Sequence, residues 1–89
     1  MPKVLIPPPY RGPTQGEAEV VVAGSTIREC LDSLEGQFPG FSALIYDENG
    51  QVADFNRLFI NDELINTDVL NTQLQPEDEV KVLAAIAGG

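Results

Sequence analysis

Short apolar or β-branched runs, cut by glycine, proline and acidic clusters, divide most of this chain into strand-length pieces. Lys3 to Ile6 predicts a first strand, ending at Pro7-Pro8-Pro9, which cannot donate to a ladder. Gly12, Pro13 and Gly16 mark Tyr10 to Gly16 as a loop, and Glu17 to Val22 predicts a second strand returning antiparallel to the first. The pattern then changes period. Ile27, Cys30, Leu31, Leu34 and Phe38 fall on one face of a helix from Ile27 to Phe38. Thr26 and Glu29 have the capping-box spacing that satisfies free amides at a helix start, and Pro39-Gly40 ends the helix.

From Phe41 to Asn56 the periodicity weakens. Ala43 to Tyr46 and Gln51-Val52 around Asn49-Gly50 predict a small hairpin. Arg57 to Asn61 predicts a strand, Asp62-Glu63 a tight turn and Leu64 to Asn66 a short return. Thr67 to Gln75 reads as a polar connection with Val69, Leu70 and Leu74 dipping inward. Pro76-Glu77-Asp78 then turns the chain into a last strand, Glu79 to Ala84. The expected fold is α+β, one mixed sheet with one main helix packed on a single face. Strand alternation points Val4, Ile6, Leu58, Ile60, Val80 and Val82 toward the helix. It leaves Leu5, Phe59, Lys81 and Leu83 on the open face, an apolar patch of the kind that marks a partner surface. The competing expectation is that the irregular segment covers that patch.

Eighty-nine residues hold one core, and a 43% apolar content is enough to fill it. Fourteen acids against five basic residues give a net charge of −9, which repels nucleic acid and anionic membranes and favours partners with a basic groove. With no histidine and one cysteine, imidazole catalysis and most zinc sites are excluded. No apolar run is long enough to span a bilayer, and no charged-then-apolar leader precedes the first strand. These features predict a cytoplasmic protein without a conventional active-site pocket.

The sequence ends in Gly88-Gly89. At an average glycine usage of about 7%, chance places two glycines at such a position roughly once in two hundred chains. A diglycine segment has no Cβ atoms and can thread a narrow channel, carrying a terminal carboxylate into another protein's active site. In order along the chain stand Val4-Leu5-Ile6-Pro7, Thr26 with the Leu31/Leu34 helix, Phe59-Ile60-Asn61-Asp62-Glu63, Pro76-Glu77-Asp78-Glu79-Val80 and Ala85-Ile86-Ala87-Gly88-Gly89. In these segments the chain resembles the ubiquitin-like β-grasp sulfur carriers, which include the thiamin sulfur carrier, the small subunit of molybdopterin synthase and the carrier of a cysteine-biosynthesis pathway. The long first loop, Pro8 to Gly16, and the Phe41 to Asn56 segment are most similar to the cysteine-pathway type.

The resemblance implies a domain over residues 1–84 and a flexible tail over 85–89, with Ala87 and Gly88 threading and Gly89 carrying the reactive carboxylate. It implies no bound cofactor. ATP is consumed by a ubiquitin-activating-type adenylating enzyme, persulfide sulfur from a donor such as a sulfurtransferase displaces AMP, and the product is a C-terminal thiocarboxylate. The acceptor is a cysteine synthase or, alternatively, the large subunit of molybdopterin synthase. The carrier itself is not an enzyme. A rival reading is a ubiquitin-like modifier conjugated to lysines; another is a plain interaction domain.

Three further motifs have simpler explanations. Pro7-Pro8-Pro9-Tyr10 fits the proline-tyrosine pattern read by WW domains, but a stiff loop accounts for it. Cys30 lies on the apolar helix face and reads as a packing thiol rather than a sulfur relay. Glu77-Asp78-Glu79 points its acids in different directions, as a solvated turn does and a hard-metal site does not.

Overall fold

In the computed structural model, which describes residues 1–84, the two apolar periodicities meet across one sheet. Its strands are β1 (Lys3–Leu5), β2 (Glu19–Val21), β3 (Asn56–Ile60), β4 (Glu63–Ile65) and β5 (Glu79–Ala84), in the order β2-β1-β5-β3-β4. Only the central β1–β5 pair is parallel; the other neighbours run antiparallel. The helix α1 (Ile27–Gln37) lies on one face of this mixed sheet and buries Ile27, Cys30, Leu31 and Leu34 against Val4, Leu58, Val80 and Val82. Ile60 is half-buried against the same core.

The start of α1 is fixed twice. Thr26 Oγ1 accepts from the Glu29 amide at 3.2 Å, while Glu29 Oε1 accepts from the Ser25 amide at 2.8 Å and the Ser25 hydroxyl at 3.0 Å. This is a capping box whose return bond reaches one residue beyond the cap. Just upstream, Gly24 has φ +149°, and a Cβ there would lie 2.8 Å from the Cys30 amide nitrogen, so the strand-to-helix corner admits only glycine. At the other end Phe38 caps the helix, its amide donating to Leu34 at 2.8 Å. The Gln37 side chain donates to the Val21 carbonyl and Ser33 accepts from the Ala23 amide, so α1 shields the edge of β2.

The segment expected to form a hairpin departs from that expectation. Ser42–Ile45 is a short helix, α2, and only the Asn49-Gly50 turn survives, closed by a Tyr46–Val52 bridge. Three carboxylate or amide side chains impose this. Glu35 accepts from the amides of Ser42 at 2.8 Å and Gly40 at 2.9 Å, tying the start of α2 to α1. Asn56 donates to the Leu44 and Ile45 carbonyls at 3.0 and 3.1 Å, satisfying the end of α2. Asp47 accepts from the amides of Asn49 and Gln51 and shapes the turn.

Tyr10 completes the arrangement: it is buried, meets Phe41 edge-on with ring centroids 6.3 Å apart, and donates its hydroxyl to Asn56 Oδ1 at 2.5 Å. The proline run therefore ends in a core anchor. Pro8–Tyr10 forms a single 3₁₀ turn rather than the extended ligand that a WW domain reads.

The hairpin β3–β4 also shifts by one residue. Its two turn residues are Asn61 and Asp62, with φ +50° and +72°, rather than Asp62-Glu63. Asn and Asp tolerate this left-handed pair, which matches the strand twist. Asn61 further binds across to the start of β5, donating to Asp78 Oδ1 at 2.8 Å and accepting from the Glu79 amide at 3.0 Å. The connection after β4 buries Leu70 and Leu74 and is held to the helix start by Ile27 N–H to Thr72 and Leu74 N–H to Ser25.

Two tyrosines give opposite expectations. Tyr10→Phe leaves the buried Asn56 oxygen without its donor and should cost about 1–3 kcal/mol. The Tyr46 hydroxyl is buried with no partner among the described residues, so Tyr46→Phe should be neutral or stabilising. Urea unfolding of the two variants checks the contrast.

Acid should also loosen the helix ends. Bonds from Ser25 hold the Glu29 carboxyl below its ordinary range, and the amides of Ser42 and Gly40 do the same for Glu35. A depressed folded pKa contributes stability above the unfolded carboxylate value of about 4.3 and loses it as pH falls through the folded value. The melting temperature should therefore drop on acidification below that value. Combining Glu29→Gln with Glu35→Gln should flatten the drop.

Candidate functional site: the open sheet face and the root of the tail

Among the described residues, nothing covers the face of the sheet turned away from α1. Residue alternation on β1, β3 and β5 places Leu5, Phe59, Lys81 and Leu83 there. Leu5, Phe59 and Lys81 are half-buried by their neighbours, and Leu83 is 44% exposed. Strand register sets Leu5 opposite Lys81, Lys81 opposite Phe59, and Phe59 opposite Leu64, so these four form one row across the sheet. Leu83 stands in the next row, opposite Arg57. The Phe41–Asn56 segment does not close over them: Phe41, Ile45 and Ala53 are buried, while Leu83 and Leu64 remain exposed.

Leu64 was not among the residues singled out from sequence. Moving the turn back to Asn61-Asp62 sets it directly opposite Phe59 instead of Asn61, in the same row as Lys81 and Leu5. The exposed Val21 on the β2 edge extends the same face. Beside the row, Leu5, Pro7, Pro8, Arg11, Lys81 and Leu83 border a groove of about 320 Å³.

This groove lies along the strand that leads into the tail. β5 is held on both sides, by β1 through Leu5–Lys81 and by β3 as far as Asn56–Ala84. Ala87, Gly88 and Gly89 lie outside the described residues, as does the boundary expected at residue 84. The other sequence candidates are accounted for locally. Cys30 is buried, and burial followed by the nearby Glu29 charge pushes its thiol pKa up, which disfavours the thiolate that sulfur transfer needs. In the Glu77-Asp78-Glu79 turn, Asp78 accepts from Gln75 and Asn61, and among the described residues no acid, histidine or cysteine cluster suits a metal. No helix among them is long and apolar enough to cross a membrane.

A five-stranded mixed sheet in this order, with one principal helix on one face, is the ubiquitin-like β-grasp fold, and its prominent surface is a sheet face rather than an enclosed pocket. The model of the ThiS family matches residues 4–89, and the chain belongs to that family of β-grasp sulfur carriers. Among solved structures it is similar to a chain of the Amycolatopsis orientalis BexX/CysO complex, at 30% identity, TM-score 0.92 and full coverage of both chains. It is also similar to Mycobacterium tuberculosis CysO, at 28% identity and TM-score 0.90, over 97% of this chain and 100% of that one. Small archaeal modifier protein 1 from Methanosarcina acetivorans follows at 25% identity and TM-score 0.81, over 99% and 95%. No curated protein matches the sequence.

Because Phe59 faces away from α1, Phe59→Asp should leave the fold intact while placing a charge in the middle of the apolar row. Circular dichroism should be unchanged. Affinity for a partner that docks on this face should fall by several kcal/mol, as expected when a central aromatic anchor is lost. Equal affinities by calorimetry would remove the row from the docking surface.

Proposed function

We propose that this chain carries sulfur as a thiocarboxylate on Gly89 and donates it in cysteine biosynthesis. The observation that carries the reading is the family match running through Gly88-Gly89, joined to similarity with CysO over 97% of the chain and with a chain of the BexX/CysO complex over all of it. A carboxylate is a poor electrophile, so a ubiquitin-activating-type enzyme first joins Gly89 to AMP from ATP, releasing pyrophosphate. The terminal sulfur of a persulfide then displaces AMP to give an acyl disulfide, and a second thiol cleaves its S–S bond, taking up the persulfide's own sulfur as a disulfide and releasing a thiocarboxylate with a nucleophilic sulfur. The chain binds no cofactor of its own and acts in the cytoplasm as a co-substrate rather than an enzyme.

The row Leu5–Lys81–Phe59 with Leu83 seats the partner, while Ala87 and Gly88 thread its channel. In the acceptor, a pyridoxal-phosphate cysteine synthase, the sulfur adds to an aminoacrylate to give a thioester. The neighbouring amine then captures the acyl group in a five-membered geometry of very high effective concentration. Cysteine is left in amide linkage to Gly89 until a peptidase releases it.

Similarity to a small archaeal modifier protein supports a second reading, conjugation to lysines through the same adenylate. The two readings diverge in their products. Co-expression with the activating enzyme and a sulfur donor should yield an intact mass raised by one sulfur in place of one oxygen, and incubation with the synthase should then add cysteine. Isopeptide adducts in the lysate without thiocarboxylate would favour the modifier, and turnover only with the large molybdopterin synthase subunit would reassign the pathway.

Removing Gly89, or replacing Gly88 by valine, should abolish ATP–pyrophosphate exchange without altering the fold. Exchange at the unmodified rate in either variant would contradict a threading tail.

A further inference from the structure

Charge on this acidic chain is unevenly placed. Four of its five basic residues, Lys3, Arg11, Arg57 and Lys81, stand on the open face or border its groove; only Arg28 sits on α1. Two of the four are neutralised locally. Lys3 lies 3.2 Å from Glu19 and 4.0 Å from Glu79, and Lys81 lies 3.9 Å from Asp62.

Arg11 and Arg57 differ: among the described residues neither pairs with a carboxylate. Each instead donates to main-chain carbonyls, Arg11 Nε to Ile6 at 3.0 Å and Arg57 Nη1 to Asn56 at 3.1 Å and to Asp54. Bonds to neutral carbonyls hold a guanidinium in place without cancelling its charge, and they leave other N–H groups of its fork free. Both arginines border Leu83. Arg57 is its register partner on β3, and Arg11 lines the same groove from the β1 side. An exposed leucine next to two held, uncompensated cations thus marks the last rows of β5.

We propose that Arg11 and Arg57 clamp carboxylates on the rim of the activating enzyme's tail channel, with Leu83 seated in an apolar patch between them. The proposal rests on the docking role given to this face above and adds the chemistry of the surface that meets it. A polyanion such as nucleic acid does not fit, because a net charge of −9 repels it at a distance. Discrete carboxylates at contact distance beside an apolar patch do fit, since arginine binds them in bidentate geometry.

The test is calorimetric binding, without ATP, of the full chain to the adenylating enzyme encoded in the same genome. Arg57→Glu should raise Kd about tenfold or more, by setting like charges together. Arg11→Gln, which keeps a donor for the Ile6 carbonyl, should raise it less. Both effects should shrink as salt is added. Arg28→Glu, the same charge change on α1, should leave Kd unchanged, and circular dichroism should show all variants folded. An unchanged Kd for Arg57→Glu, an equal loss for Arg28→Glu, or no binding by the unmodified chain overturns the clamp. ATP–pyrophosphate exchange judges Gly89 separately: binding with the expected variant pattern but without exchange would sustain the clamp and reject the carrier chemistry.

Discussion

The register of β5 between its two neighbours is the constraint from which the rest of the molecule follows. β5 pairs in parallel with β1 and antiparallel with β3, and both ladders agree on which residues face α1. Val80 and Val82 are thereby committed to the core and Lys81 and Leu83 to the other face. A slip of one residue against either neighbour would exchange the two sets, burying a lysine and exposing two valines. Burial of one face thus sets the composition of the other.

The same pairing joins segments close to both ends of the chain, so the strand entering the tail is also the middle strand of the sheet. Both neighbours hold β5 as far as Lys81, and β3 alone holds it from there to Ala84, the last described residue. Under the proposed function the partner supplies the reactive groups, which suits a chain without histidine.

Around this sheet, polar side chains organise what hydrophobic patterning leaves loose. Asn56 accepts from Tyr10 and donates to two carbonyls at the end of α2, linking the first loop, the irregular segment and β3. Glu35 binds the opposite end of α2 to α1, and Asn61 binds the β3–β4 turn to the start of β5. Asn56 and Asn61 join segments distant in sequence, and Glu35 bridges the turn between the two helices. They explain why long loops coexist with a well-packed core in a chain this short.

Periodicity and punctuation alone determined α1 and its cap, the approximate strands, the inward and outward residues of β1, β3 and β5, and the diglycine as candidate chemistry. These are local properties: a helical stripe, an alternation or a cap is encoded by residues a few positions apart. Tertiary structure decided the rest. Ala43 to Tyr46 has strand-like composition but became helical because Glu35 and Asn56, neither of them a close neighbour along the chain, satisfy the ends of a helix there. Tyr10 became core because Phe41 and Asn56 receive it. Alternation alone turns Leu64 and Arg57 to the open face, but cross-strand register decided that they meet Phe59 and Leu83 there. For Tyr10, Asn56 and Arg57 the deciding partner lies far along the chain, where local propensity has no reach, and folding brings it within a hydrogen bond or a cross-strand pair.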